Sequence, residues 1–122
     1  MAVRAEQMQQ VLKTLVSNTP DVEGAAVVSV DGLVMSSVLP AGTDEDRVSA
    51  MAAALLSLGE RSAHELQRGA LEQVYVKGGS GYIILMQSGP EAVLEVIAGA
   101  SAKLGMVLLD MKRAAQELAR LV

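Results

Sequence analysis

Met8, Val11, Leu12 and Leu15 recur at i, i+3, i+4 and i+7, with Gln7, Gln9, Gln10 and Lys13 between them. That spacing predicts an amphipathic helix with one buried stripe. Asn18-Thr-Pro-Asp21 should end it, because proline disfavours helical geometry in the residue before it. Residues 25–30 are apolar on both faces except at Ser29, the pattern of a central strand covered on both sides. Asp31-Gly32 supplies positive φ cheaply and predicts a two-residue hairpin into a return strand over 33–38. Thr43-Asp-Glu-Asp46 fits the Ser/Thr-x-x-acid start of a second helix, with three carboxylates where the dipole favours them. This helix is expected to reach about Gln67 and stop at Gly69.

The second half alternates differently. Over 71–77, Gln73, Tyr75 and Lys77 share one face of a predicted strand, while Val74 and Val76 share the other. Gly78-Gly-Ser-Gly81 turns the chain into an apolar strand over 82–87. Residues 92–98 suit strand or helix by pattern alone, and the flanking Gly89-Pro90 and Gly99 favour strand. Leu104, Val107, Leu108, Met111, Ala115 and Leu118 then keep helical spacing to the end. The predicted order is αββαβββα, an α/β (α+β) chain.

One element carries more apolar surface than a single docking face uses. Nine of the eleven residues from 48 to 58 are apolar, Ser49 and Ser57 being the exceptions. Docking on a sheet needs about a third of a helix's circumference. Val48, Ala52, Leu55 and Gly59 make one stripe; Met51, Ala54, Leu58 and Ser62 make another. The first and last helices have ordinary one-sided patterns, so the middle helix is expected alone on its own sheet face with its back open. Leaving Met51, Leu55 and Leu58 uncovered forgoes about 1.5–3 kcal/mol each. Such a patch marks a protein contact, and a second copy of the chain is the simplest partner. The strand over 71–77 would add to that contact if it lies at a sheet edge.

Composition narrows the function classes. The 122 residues are 51% hydrophobic and 20% charged, which describes a globular chain long enough for a real core. The absence of cysteine excludes a disulfide framework and thiolate chemistry, and fits a cytoplasmic location. A net charge of −4, two tyrosines and no Trp or Phe give neither the charge nor the stacking surface for nucleic acid. No stretch is long and apolar enough to insert in a membrane.

Candidate chemistry falls short at each place it begins. His64-Glu-Leu-Gln-Arg68 starts like a zinc-protease helix but has Arg where the second histidine belongs. Gly78-Gly-Ser-Gly-Tyr82 resembles a nucleophile elbow except that Tyr replaces its last glycine. Gly99-Ala-Ser-Ala-Lys-Leu-Gly105 lacks the Gly-Lys-Ser/Thr ending of a phosphate loop. Asp44, Glu45 and Asp46 have a capping role, and Asp31 a turn role. No enzyme activity, cofactor or metal is expected.

Pro20-Asp-Val-Glu-Gly-Ala-Ala-Val-Val-Ser-Val-Asp-Gly-Leu-Val-Met-Ser-Ser37 resembles the opening strands of the Roadblock family, the dynein light chains of Roadblock type among them. The acidic cap at 43–46 with its Ala- and Leu-rich helix fits, as do the glycine-tipped hairpin after Tyr75 and the terminal Leu104-Gly-Met-Val-Leu-Leu-Asp-Met segment. The resemblance runs from about residue 5 to 120, so the chain reads as one such domain over 1–122. It implies a five-stranded antiparallel sheet in the order 2-1-5-4-3, a profilin-like three-layer arrangement with two helices on one face and the long helix on the other. It implies a homodimer through that helix and the third strand: Val48, Met51, Ala52, Leu55, Leu58 and Gly59, with Leu71, Gln73 and Tyr75. It further implies a non-enzymatic platform that regulates a small Ras-like GTPase, as bacterial gliding-polarity regulators of the family do. The GTPase would meet the polar end of the helix at Glu60, Arg61, His64, Glu65 and Arg68. Arg47, Arg61 and Arg68 are arginine fingers by residue type only, and remodelling of the GTPase switch regions is the expected mode of action. Two other readings stand beside this one: a structural adaptor without GTPase dealings, and a small-molecule sensor, which would need convergent polar residues in a pocket.

Overall fold

The computed structural model describes residues 2–122. Its elements are α1 (Ala2–Asn18), β1 (Val22–Ser29), β2 (Val34–Val38), α2 (Glu45–Glu65), β3 (Gln73–Gly78), β4 (Gly81–Gln87), β5 (Ala92–Gly99) and α3 (Leu104–Ala119). The strands form one antiparallel sheet in the order β2-β1-β5-β4-β3. The hydrophobic pattern explains the layering. Strands β1 and β5 are buried on both faces, so they sit in the middle and each face takes helices.

Two cores result, one per face. Leu12 of α1 and Met111 and Leu118 of α3 bury themselves against Val27, Ile84, Leu94 and Val96. On the other face Ala52 and Leu56 of α2 close a smaller core over Ala26, Val28, Leu85 and Val93. The long helix therefore lies alone on its face, as its excess of apolar residues required. Thr19 Oγ1 donates to Asp110 Oδ2 at 2.8 Å and ties the end of α1 to α3.

Three turn assignments differ from the sequence expectation, each for a local reason. The β1–β2 connection is a three-residue loop, Val30-Asp31-Gly32, closed by Ser29 N–H donating to the Leu33 carbonyl at 2.8 Å. Gly32 alone takes positive φ there, at +90°, so Asp31-Gly32 is not a two-residue turn. The two-residue turn is Gly79-Ser80, between the paired Gly78 and Gly81. Asp44 rather than Thr43 caps α2, its Oδ1 accepting from Arg47 N–H at 3.2 Å. Nor does Gly69 stop the helix. Gln67 enters the left-handed region at φ +57°, and Arg68 N–H reaches back to the Ala63 carbonyl at 2.7 Å, a Schellman-type ending.

The two outer strands are unlike. β2 is five residues long, its register with β1 shifts between Val27 and Val28, and Ser36 Oγ donates to Gln9 Oε1 of α1 at 2.9 Å. β3 is regular along its six-residue pairing with β4, begins at Gln73 rather than Leu71, and is exposed over most of its length.

Candidate protein-interaction site

Register shows how α2 is carried. Ser37, Ala26, Glu95, Leu85 and Val74 are successive partners across all five strands, and they form a row on the α2 face. The Glu45 carboxylate is hydrogen-bonded by Ser37 Oγ at the β2 end of that row. Gly59 meets Val74 at the β3 end. From Glu45 to Gly59 the helix rises about 21 Å, and four strand spacings measure about 19 Å. The helix thus crosses the whole sheet and ends its contact over the edge strand.

Gly59 permits this close approach. A Cβ there would stand 2.8 Å from Val74 Cγ2 and 3.2 Å from Leu71 Cδ2. Gly59→Val should therefore lose about 2 kcal/mol of stability through overpacking. Gly105→Ala, where nothing lies within 4 Å, should gain up to about 1 kcal/mol from helix propensity. Urea midpoints of the two variants test the contrast.

Two different stripes run along α2. Val48 and Ala52 are buried, Leu55 is half-buried against the core of this face, and Gly59 is half-buried, all toward the sheet. Val48 and Ala52, expected at a dimer contact, are covered by their own sheet, because helical spacing puts them directly over β1 and its neighbours; they are not part of the open surface. Leu56, absent from the expected set, completes this inner face. The outer stripe is Met51 (46% exposed), Ala54, Leu58 (63% exposed) and Ser62. Its C-terminal end comes to the β3 edge, where Val76 is exposed on the same face as Val74, and Gln73 and Tyr75 are exposed on the reverse face of that strand.

Glu60, Arg61, His64, Glu65 and Arg68 are all exposed at the C-terminal end of α2. Arg61 pairs with Glu65 at 3.6 Å, an exposed i,i+4 contact of small energetic weight. Arg68 Nε donates to the Leu66 carbonyl at 3.0 Å, so its guanidinium is partly engaged in the helix ending. The structure gathers these five residues at one end of the helix and buries none of them.

One group lies outside all these expectations. Glu95, in the middle of β5, is 4% exposed, and its Oε1 has no hydrogen-bond partner among the described residues. Its row neighbours are Ala26 and Leu85. Burial pushes its carboxyl up to about 7. The signal was available as a lone acid inside the apolar run over 92–98, but alternation alone does not say which face it occupies.

A concavity of about 410 Å³ between α1 and α3 is lined by Gln10, Thr14, Asn18, Asp110, Arg113 and Glu117 beside Val11 and Leu15. A groove of about 770 Å³ between α3 and the β3–β4 edge is lined by Met86, Leu108 and Leu109, with Glu72, Gln73, Lys112 and Gln116 exposed around it. Among the described residues no group of three or more His, Asp and Glu side chains is arranged to hold a metal ion.

Comparison with known proteins agrees with this architecture. Residues 8–98 match the family model of the Roadblock/LC7 domain. Two uncharacterised proteins of Methanocaldococcus jannaschii are each 38% identical over 102 residues, covering 84% of this chain and 89% of theirs. Among solved structures, a Roadblock/LC7 domain from Streptomyces avermitilis superimposes with a TM-score of 0.86 at 26% identity, over 92% of this chain and 94% of its own. An MglB protein solved in a tetrameric arrangement gives 0.89 at 23% identity, over 97% and 89%. Profilin IB of Acanthamoeba castellanii shares the fold at 0.67 and 18% identity, over 93% and 97%. A sheet in the order 2-1-5-4-3 with a lone long helix on one face, matched by family over most of its length, makes this chain a member of the Roadblock/LC7 family.

Proposed function

We propose that the protein is a non-enzymatic, homodimeric platform that binds and regulates a small Ras-like GTPase in the cytoplasm. One observation carries the dimer: the uncovered stripe of Met51, Ala54 and Leu58 ends over the exposed edge strand β3. Two copies related by a two-fold axis would bury the stripes against each other and pair their β3 edges, extending the sheet across both subunits. Alanines at 50 and 54 would let the two helix backbones approach closely. The contact set is Met51, Leu55, Leu58, Gln73 and Tyr75, with Ala54 and Val76 added and Val48, Ala52, Gly59 and Leu71 removed, the last two because they meet each other within one subunit.

The GTPase half of the reading rests on family membership and on the charged end of α2. Glu60, Arg61, His64, Glu65 and Arg68 would stand at the margin of the paired helices. No helix among the described residues is long and apolar enough to cross a membrane.

Sedimentation velocity should show a dimer at micromolar concentration. Small GTPases from the source cell, loaded with a non-hydrolysable GTP analogue, should include one that binds the wild type, and Arg61→Glu combined with Arg68→Glu should weaken it at least tenfold. GTP turnover by that partner, with and without the protein, separates a regulator from a structural adaptor. A dimer that binds none of them would retire the GTPase reading and leave the adaptor.

A further inference from the structure

Glu95 is the one buried titratable side chain that the dimer and partner readings leave unused. Its position is specific. It stands at the centre of the row that α2 crosses, two strands in from Ser37 and two from Val74. Halfway along the helix span from Glu45 to Gly59 is Ala52, a small residue with no exposed surface. The core around it is small: Ala26, Val28, Leu85, Val93, Ala52 and Leu56. A carboxylate beneath a helix seated on so few side chains has strong leverage on that helix.

No counter-charge is at hand on either packed element. Among the described residues, the strand positions sharing this face are apolar or neutral: Val28 and Ala26 on β1, Ile83 and Leu85 on β4, Val93 and Ile97 on β5, Val74 and Val76 on β3. On α2 the sheet-facing residues Val48, Ser49, Ala52, Leu56 and Gly59 do not titrate. Glu45 does, but it is two strands away and bonded to Ser37. Glu23 lies exposed at the far end of β1 beside Gly99. Ionisation of Glu95 therefore has nothing to neutralise it except water, and at 4% exposure it meets little of that while the helix lies on the sheet.

We propose that Glu95 is a proton-operated latch beneath α2: protonated, it lets the helix lie on the sheet, and ionised, it loosens the helix and with it the face offered to a second copy and to a partner. This deepens the platform reading and rests on it for the second clause only. The control is built into the domain and needs no ligand. Loosening should be confined to the α2 layer, because the α1–α3 core on the other face contains no such group.

The test is native-state hydrogen exchange of the full chain between pH 5.5 and 8.5, comparing α2 amides with α3 amides to remove the intrinsic pH dependence. In the wild type the α2-to-α3 ratio should rise about tenfold or more across this range. In Glu95→Gln it should stay flat, and Glu95→Leu serves as a second neutral variant if the glutamine is poorly tolerated. Equal pH dependence in wild type and variants would overturn the latch. Sedimentation on the same samples should show dimer affinity falling with pH in the wild type alone. A latch seen by exchange with a pH-independent dimer would overturn its link to the interface, whereas chains monomeric at every pH would overturn the dimer and leave the exchange result to decide Glu95.

Discussion

At pH 8, Glu95→Gln should unfold at a clearly higher urea concentration than the wild type, with a gain of about 3 kcal/mol. The reasoning follows the proton. In the unfolded chain the carboxyl titrates near its ordinary value of 4.5, and in the folded protein burial raises it to about 7. Between those values the folded state holds a proton that the unfolded state releases, so wild-type stability falls as pH rises through this window and levels off above it. Glutamine keeps the shape of the protonated acid and has no charge to bury. The two proteins should accordingly differ by less than about 1 kcal/mol at pH 5 and diverge toward pH 8. Urea titrations at four pH values measure the divergence directly. A constant offset would mean that Glu95 is solvated in the folded state.

Leu58→Glu should abolish the dimer while leaving the protomer folded. Leu58 is 63% exposed, so the protomer loses little by the change, within about 0.5 kcal/mol. A two-fold contact counts the substitution twice. Losing two leucine burials costs about 3–6 kcal/mol, and facing two carboxylates across the seam adds repulsion. The dimer dissociation constant should rise by at least about 100-fold, read by sedimentation at matched concentrations. Leu55→Glu is the less informative variant. Leu55 also packs against the α2-face core of its own subunit, so its loss would unsettle the protomer as well. A dimer that survives Leu58→Glu would place the interface elsewhere.

The two stripes of α2 show what sequence can and cannot give. Spacing alone separated Val48, Ala52, Leu55 and Gly59 from Met51, Ala54 and Leu58, and the structure keeps nearly that division. Spacing does not say which stripe takes the sheet, since both are apolar. That choice depends on where Gly59 must meet Val74, a contact between residues fifteen apart that only the folded sheet creates. The lone helix followed from the two apolar stripes over 48–58, and the sheet order from family resemblance alone. Turn details did not. Asp31-Gly32 and Gly79-Ser80 are both plausible two-residue turns, and strand register decides between them. Glu95 was visible as a letter but not as a site. A single acid in a short apolar strand looks the same whether it faces solvent or a helix, and only the pairing with Ala26 and Leu85 puts it inside.

The unlike borders of the sheet bear on how far assembly proceeds. A strand-to-strand union that uses β3 on both sides consumes the one regular border each molecule has. What remains outermost is β2, which is short, stepped in register and tied back to α1 through Ser36. It makes a poor template for a third molecule. Growth by adding strands should therefore halt at two subunits, and concentrated solutions should resist fibre formation even though each protomer carries an open strand.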